Sequence, residues 1–498
     1  MHIAAIVVLA SLMISSVSDG QDARVPKLSV NWNKTVRAWK TTATLQVVVN
    51  PPLRRGTPVH DGAFQTLHEL QADYVRYVPW LPYPRLGVAE LQPPADGRTS
   101  WDFSVIDPMT IDFLNATKGH PVVLNFSTIP QWMYKTDKPI VYPEDPNKVM
   151  WDYEQGMELR DPSAREVGDY YARLLSWYTK GGFTDESGRR HESGYHFAIP
   201  YWEVLNEVDY EHAMSPETYT TVYDALVTAM LGVEPKTKFV GMALAAPSQN
   251  PAFFAYFLNH KNHKPGVPLD YISYHFYATP NPGESMETQQ FTFFAQADGF
   301  LNSVRYIEAI RQRLSPETGT MVNEIGSIAA EDAAQGQAGY TFKPIPSAYW
   351  SLSGAMFAYV FGELSRLGID VAGESQLVGY PTQYPSVSMV NWKNGQPNPR
   401  FQVLRLLKDN FGPGDKIVDS SLNSADVYAF AVESRGGKRR ILLVNKRERE
   451  QRIEVPAATG GQMDYADVTT GAQPPATAKV ASDVIKLGGF SVCIVTLP

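Results

Sequence analysis

Short apolar runs recur along the first four-fifths of the chain, and each is followed by a polar or aromatic residue and a longer helix-like segment. These runs predict strands at residues 74–78, 86–90, 121–125, 201–207, 238–243, 271–277, 320–324 and 368–373. Helical periodicity lies between them, for example over 164–175 and 300–314. About eight alternations of strand and helix favour a closed (β/α)8 barrel, the TIM-barrel architecture, over an open sheet.

The pattern changes near residue 411. Gly412-Pro413-Gly414-Asp415 is a turn cluster, and shorter alternating runs follow it, at 426–432 and 440–444. This texture predicts a small C-terminal antiparallel β-sandwich. Residues 27–49 alternate in the same way before the first barrel signal. We therefore expect residues 21–50 to supply strands to the sandwich, 51–410 to form the barrel and 411–498 to form the sandwich.

The first residues carry a targeting pattern. An apolar stretch from Ile3 to Ile14 is followed by small and polar residues up to Gly20. This length suits the hydrophobic region of a signal peptide and is too short to span a bilayer, although an uncleaved anchor is the main alternative. We predict a signal peptide over residues 1–20 and a protein that is secreted or held in the secretory pathway. No later run is long enough for a membrane span, so we expect no stable membrane association.

Charge and motif content exclude several classes of function. The formal net charge is −8 and no basic run stands out, so a nucleic-acid partner is not expected. Cys493 is the single cysteine, which excludes an intrachain disulfide. The sequence contains no HExxH zinc motif, phosphate-binding loop, dinucleotide fingerprint or GxSxG elbow. We predict no metal and no cofactor, and nothing in the sequence indicates the oligomeric state.

Two carboxylates stand at the ends of predicted strands. Glu207 closes the run that begins at Tyr201, and Glu324 closes the run at 320–324. The C-terminal ends of barrel strands are where catalytic groups lie. Two carboxyl groups there are the minimum equipment for hydrolysis of a glycosidic bond. Read with period 2, Glu203 shares a face with Glu207 but lies lower, where a hydrogen-bonded core carboxylate is the better interpretation.

Each of the two acids has a predicted role. Glu207 is the candidate general acid and base, because partial burial beside a second carboxylate raises a carboxyl pKa. Asn206 precedes it and is placed to contact the sugar hydroxyl next to the reacting carbon. Glu324 is the candidate nucleophile, which must stay ionised. His275 and Tyr277 share a strand face, and Tyr277 is the best donor to steady that anion.

Aromatic and cationic residues complete the candidate site. Trp392 is a candidate floor for a pyranose ring, with Trp80 and Trp132 as candidate walls, and ordinary core packing is an equal alternative for each. A uronic acid would need a cationic clamp on its carboxylate, for which Arg76 is the single candidate near the site. A neutral pentose or hexose is the default substrate.

The order of these motifs resembles clan A retaining glycoside hydrolases: Asn-Glu on strand four, His-x-Tyr on strand six, Glu on strand seven and Trp after strand eight. The segments Trp101–Asp107 and Ile129–Met133 are similar to family 39, which contains β-xylosidases and α-L-iduronidases. The resemblance spans roughly residues 60–405 and implies Glu207 as acid/base and Glu324 as nucleophile.

We therefore expect a secreted retaining glycosidase that acts on a β-linked pentoside or hexoside. The alternatives are a catalytically inactive barrel that binds glycans and an unrelated α/β enzyme. The sugar, its linkage and exo or endo action stay open.

Overall fold

The computed structural model of the protein describes residues 25–138, 141–151, 156–335 and 340–498. The predicted signal peptide lies outside these residues. Numbered in chain order, the strands are β1 Ser29–Ala38, β2 Thr42–Val48, β3 Val75–Val78, β4 Val122–Leu124, β5 Gly182–Thr184, β6 Arg190–Glu192, β7 Tyr201–Glu203, β8 Lys238–Leu244, β9 Tyr271–Ala278, β10 Gly319–Ser327, β11 Val371–Glu374, β12 Lys416–Ser421, β13 Val427–Glu433, β14 Arg439–Asn445, β15 Gln451–Glu454, β16 Gln462–Ala466, β17 Ala476–Lys479, β18 Val484–Leu487 and β19 Val492–Thr496. The α-helices are α1 His60–Leu70, α2 Pro84–Gly87, α3 Asp107–Ala116, α4 Arg165–Thr179, α5 Pro216–Val233, α6 Pro251–Phe257, α7 Met286–Leu314, α8 Ser347–Leu367 and α9 Pro399–Asn410.

Eight parallel strands close into a barrel in the order β2, β3, β4, β7, β8, β9, β10 and β11, and β11 pairs back onto β2. The predicted barrel with a C-terminal antiparallel domain is confirmed. Long helices separate the strands, and α4 and α7 cover the segments whose periodicity predicted them. Serine side chains cap two of these helices, Ser215 at α5 and Ser285 at α7, and each accepts a hydrogen bond from a backbone N–H of the first turn.

The membership of the barrel differs from the prediction at two places. Strand β2 belongs to the barrel, so the barrel begins at Thr42 and residues 42–48 do not join the sandwich. Its alternation arises because Thr44 and Gln46 are polar, yet both are buried like the apolar residues between them. The predicted strand at 86–90 is wrong. Pro84 starts the short helix α2 there, since proline suits the first turn of a helix.

The C-terminal domain is built from two antiparallel sheets. One has seven strands in the order β1, β12, β13, β14, β19, β16 and β17, and the other pairs β15 with β18. Strand β1 pairs with β12 and so ties the N-terminal segment to this domain. Between the sheets lies an apolar core that includes Leu443, Ile453, Ile485 and Cys493. The Cys493 thiol is buried there, which fits the interpretation of a structural cysteine.

The other face of the seven-stranded sheet packs against the barrel. Phe430 and Leu442 belong to the same buried apolar cluster as Phe361 of helix α8. Trp39 joins them, with its ring stacked on Phe411 at a centroid distance of 5.3 Å. The barrel and the sandwich therefore share one continuous core. Within the described residues, no helix is both long enough and apolar enough to cross a membrane.

Candidate active site

Glu207 reaches the carboxyl end of the barrel on an irregular segment. Strand β7 ends at Glu203, earlier than predicted, and Leu205 and Glu207 adopt positive φ angles of 64° and 41°. Such angles are costly for residues other than glycine and gather at functional sites. The backbone N–H of Glu207 donates to the carbonyl of Ala243, at the end of strand β8, at 2.9 Å. The local backbone is thus held in an unusual shape that presents the Glu207 side chain to the barrel opening.

Glu324 lies within strand β10, one strand beyond the pair formed by His275 and Tyr277 on β9. The Tyr277 hydroxyl donates to Oε2 of Glu324 at 2.7 Å, and the Arg76 guanidinium donates to Oε1. Both oxygens of this carboxylate therefore have a donor. The Glu324 side chain is 8% exposed, and that of Glu207 is 18% exposed. The predicted donor to Glu324 is thus in contact with it.

His275 stands between the two acids. Its Nδ1 lies 2.9 Å from Oε1 of Glu207 and 3.6 Å from Oε2 of Glu324. One oxygen of each acid and a ring nitrogen of His275 all lie within 4.8 Å of one another. The structure therefore brings together both predicted acids and both predicted residues of strand β9.

The surroundings separate the two acids electrostatically. Burial raises the pKa of Glu207, and the hydrogen bond from His275 only partly offsets this effect. Burial also acts to raise the pKa of Glu324, but the charges of His275 and Arg76 outweigh it, so that pKa is lowered. Burial acts to lower the pKa of His275, and the two acids reverse this and raise it. One carboxyl is thus suited to hold a proton and the other to stay ionised.

A layer of buried polar groups supports the acids from below. Glu203 is fully buried and accepts hydrogen bonds from Arg76, from Nδ2 of Asn125 at 2.6 Å and from Nδ2 of Asn323 at 2.6 Å. It is a hydrogen-bonded core carboxylate, in line with the prediction. Asn125 belongs to a sequon, but its side chain is buried inside the barrel.

Arg76 does not fit the predicted clamp for a substrate carboxylate. Its side chain is 1% exposed, and it pairs with Glu203 and Glu324. Its remaining contacts are Oε1 of Gln46 at 2.7 Å and Oδ1 of Asn206 at 2.6 Å. The guanidinium is committed to these four partners, so its role is to compensate the buried carboxylates.

The acids open onto a cavity of about 270 Å³. Its wall combines carboxyl and amide groups with aromatic rings. The lining residues are Gln46, Val48, Val78, Trp80, Leu81, Trp151, Asn206, Glu207, Tyr210, Glu211, Tyr277, Glu324, Ile328, Gln376, Tyr384 and Val387. Three of the rings contact one another: Trp80 lies 5.6 Å from Trp151 and 6.1 Å from Tyr384 between ring centroids.

Of the three predicted tryptophans, Trp80 alone lines this cavity. Trp392 lies in a separate surface pocket with Trp350 and packs edge-on against Phe342 at 5.6 Å. The indole of Trp132 donates to the backbone carbonyl of Glu90 at 2.9 Å and carries the guanidinium of Arg160 on its face. The predicted roles of Trp392 as floor and Trp132 as wall are therefore wrong for this cavity.

The structure adds residues that sequence reasoning missed. Glu211 lines the cavity, and its position four residues after Glu207 was a usable signal, because residues so spaced lie on one side of a helical turn. Trp151 and Tyr384 come from long loops, whose course no periodicity predicts. Tyr210 is 78% exposed at the edge of the cavity.

Another strand-end carboxylate, Glu374 on β11, is excluded from the site by its burial. It is fully buried and paired with Arg400, whose Nε lies 2.9 Å from Oε1 of Glu374. Burial raises the pKa of Glu374 to about 7 even though Arg400 acts against this. Glu374 does not line the cavity, and its carboxylate pairs with Arg400 at the carboxyl end of strand β11.

Glu207, His275 and Glu324 are also a group that could offer three ligand atoms to a metal ion. Both oxygens of Glu324 already accept hydrogen bonds, one of them from the permanent cation of Arg76. A divalent cation would have to displace these donors and sit beside the guanidinium charge. The donor set therefore fits acid–base chemistry better than metal binding.

Solved structures of several glycoside hydrolases have a fold similar to that of this chain. A family 51 glycoside hydrolase, the arabinofuranosidase from Xanthomonas axonopodis pv. citri, is similar over 95% of this chain and 100% of its own, with a TM-score of 0.65 and 12% identity. A family 30 endoxylanase from Clostridium papyrosolvens covers 95% and 99% of the two chains, with a TM-score of 0.57 and 14% identity. A glucosidase from Croceicoccus marinus covers 95% and 98%, with a TM-score of 0.59 and 14% identity.

The match found by sequence covers much less of the chain than the structural similarity does. Residues 424–495 match the model of the C-terminal immunoglobulin-like domain of D-apionate lactonase. No curated protein matches the sequence. The matched residues lie within the sandwich and include none of the groups around the cavity. The chain thus shares its barrel-and-sandwich fold with glycoside hydrolases of families 51 and 30, and the narrower resemblance to family 39 stays a prediction.

Proposed function

We propose that the protein is a retaining O-glycoside hydrolase that acts by double displacement. One observation carries this proposal: an oxygen of Glu207 and an oxygen of Glu324 lie within 4.8 Å of each other, and their surroundings shift the two pKa values in opposite directions. Retaining enzymes place their carboxyl groups about 5–5.5 Å apart, whereas inverting enzymes need about 6.5–9.5 Å to admit a water molecule.

In the first step, a carboxylate oxygen of Glu324 forms a bond to the anomeric carbon while the bond to the leaving oxygen breaks. Glu207 transfers its proton to that oxygen. In the second step, Glu207 takes a proton from water, the water oxygen attacks the anomeric carbon, and Glu324 is released. Arg76 and Tyr277 keep Glu324 ionised in the free enzyme and receive it again at the end of the cycle.

The substrate we propose is a β-linked neutral pentoside or hexoside. Asn206 contacts the hydroxyl next to the anomeric carbon, and Trp80 forms an apolar wall of the cavity. Glu207, Glu211 and Glu324 line this space, and Arg76 is already paired, which disfavours a uronic acid. The likeness to an arabinofuranosidase and an endoxylanase supports a neutral sugar. We further propose that the protein is secreted, on the N-terminal pattern of residues 1–20.

Two rivals are less well supported. A glycan-binding barrel without activity needs neither two acids at this spacing nor opposite pKa shifts. A lactonase activity is supported only by the match of residues 424–495 to a lactonase domain. None of these residues lines the cavity.

The test is turnover of aryl β-xyloside, arabinoside, glucoside and glucuronide by wild type and Glu207→Ala. We expect the variant to lose most activity on poor leaving groups and less on activated ones, because activated groups need little protonation. Azide should restore its second step and give a β-configured glycosyl azide from a β-glycoside. Inactivity of the wild type on the whole panel would favour the glycan-binding alternative. Azide products of inverted configuration from Glu207→Ala would contradict the roles given to the two acids.

A further inference from the structure

Glu211 is a third carboxyl group at the cavity for which the double-displacement mechanism has no use. The chain turns tightly after Glu207, whose carbonyl accepts hydrogen bonds from the backbone N–H groups of Tyr210 at 2.8 Å and Glu211 at 2.7 Å. This turn carries the Glu211 side chain back to the wall of the cavity. It therefore stands beside the acids without occupying the place of either.

The contacts of Glu211 are with residues that face the substrate space. Its Oε1 accepts hydrogen bonds from the indole N–H of Trp80 and from Nδ2 of Asn206, the latter at 2.8 Å. On the opposite side of the same amide, Oδ1 of Asn206 accepts from Nη2 of Arg76 at 2.6 Å. A flipped amide would turn its N–H groups towards the guanidinium and its oxygen towards the carboxyl oxygen. The two neighbours thus permit a single orientation of the amide.

This orientation matters for the substrate. An amide nitrogen carries two N–H groups, and Glu211 takes one of them. We propose that Glu211 is a positioning residue: it fixes the amide of Asn206 so that its second N–H donates to the sugar hydroxyl next to the anomeric carbon. This inference rests on the proposed glycosidase function and names a residue that sets its selectivity for that hydroxyl.

The state of Glu211 fits this role. Its Oε2 is buried and has no hydrogen-bond partner among the described residues, an arrangement that costs stability. Burial, followed by the charge of Glu207, raises the pKa of Glu211 well above its ordinary value. Since Oε1 already accepts two N–H groups, a proton on this carboxyl sits on Oε2. A glutamine would keep the accepting oxygen in place, so Glu211→Gln is the conservative variant.

The experiment measures kcat/KM for an aryl glycoside and its 2-deoxy analogue in wild type, Glu211→Ala, Glu211→Gln, Asn206→Ala and the double alanine variant. We expect Glu211→Ala to lower kcat/KM on the parent by on the order of 10- to 100-fold, the scale of a misplaced contact. On the 2-deoxy substrate its effect should be about threefold at most. In the Asn206→Ala background, Glu211→Ala should cause little further loss of kcat/KM on the parent substrate. Glu211→Gln should keep most of the wild-type kcat/KM.

Equal losses on the two substrates, or additive losses in the double variant, would overturn the inference. Thermal unfolding shows whether Glu211→Ala is folded. If it shows no folding transition, Glu211→Asp is used instead, because the shorter aspartate side chain cannot reach both Trp80 and Asn206. Loss confined to the parent substrate is expected for that variant, and loss on both would again overturn the role. Wild type that hydrolyses neither substrate, nor any glycoside of the panel, would instead overturn the proposed function and this inference with it.

Discussion

At the scale of single residues, the pH dependence of the reaction follows from the opposite shifts of the two acids. The proposed mechanism requires that Glu324 is ionised and Glu207 is protonated. The pKa of Glu324 is lowered and that of Glu207 is raised. As the pH increases, kcat/KM should therefore rise around the pKa of Glu324, stay level between the two values, and fall around the pKa of Glu207. In Glu207→Ala, assayed with an activated aryl glycoside, the alkaline fall should disappear. An alkaline fall that persists in this variant would assign the proton to another group, such as His275.

Arg76 gives a prediction about stability. It is the cation between two buried carboxylates, and Arg76→Met keeps much of the side-chain volume but removes the guanidinium charge that pairs with both Glu203 and Glu324. Breaking a buried ion pair by removing one partner costs about 3–5 kcal/mol of unfolding free energy. The control is Lys27→Met, whose exposed pair with Glu454 should contribute less than about 1 kcal/mol. Chemical denaturation compares them, and equal effects would show that Arg76 is not the compensating cation.

At the scale of secondary-structure elements, helices α8 and α9 of the barrel both contact the sandwich, and α8 packs against strands β14 and β19. A Cβ added at Gly362 on this helix would lie 2.6 Å from the hydroxyl oxygen of Tyr428 on strand β13. Overpacking of this kind costs about 1–3 kcal/mol, so Gly362→Ala should lower the melting temperature. Gly299 in helix α7 has nothing within 4 Å of the same position, and Gly299→Ala should be neutral or stabilising. Equal melting temperatures for the two variants would argue against this close packing.

The elements also show what a sequence can and cannot predict. The sequence pattern predicts the correct number of barrel strands, although it places β2 in the sandwich and predicts a strand where helix α2 begins at Pro84. The two errors offset each other in the count, so Glu207 and Glu324 keep their places after the fourth and on the seventh strand. A polar residue that faces a barrel interior gives the same alternation as one that faces water. For this reason the alternation around Gln46 predicts a sandwich strand, although this strand belongs to the barrel.

Site residues on strands were predicted better than those on loops. Strand period places His275 and Tyr277 on one face, and the structure keeps them together. Trp392 follows the last barrel strand by many residues, and the course of that loop depends on tertiary contacts that no local pattern encodes. The sequence could have predicted that Glu211 lies near Glu207, since their spacing of four residues is that of one helical turn.

At the scale of the whole molecule, barrel and sandwich share a continuous apolar core through Phe430, Leu442 and Phe361. Independent domains unfold separately, whereas domains with a large apolar interface tend to unfold together. We expect a single calorimetric transition, and Gly362→Ala should move it as a whole. Two resolved transitions, or a variant that shifts only one of them, would contradict a shared core.

Trapping of a covalent glycosyl-enzyme tests most directly whether Glu324 is the nucleophile. Wild type is incubated with an activated 2-fluoro glycoside, which forms a glycosyl-enzyme that breaks down slowly, and the labelled peptide is mapped by mass spectrometry. The proposed nucleophilic role of Glu324 predicts one sugar per chain, attached to Glu324 and absent from Glu324→Gln. A label on Glu207, Glu211 or Glu374 would contradict it, as would hydrolysis of the unfluorinated glycoside with inversion of the anomeric centre.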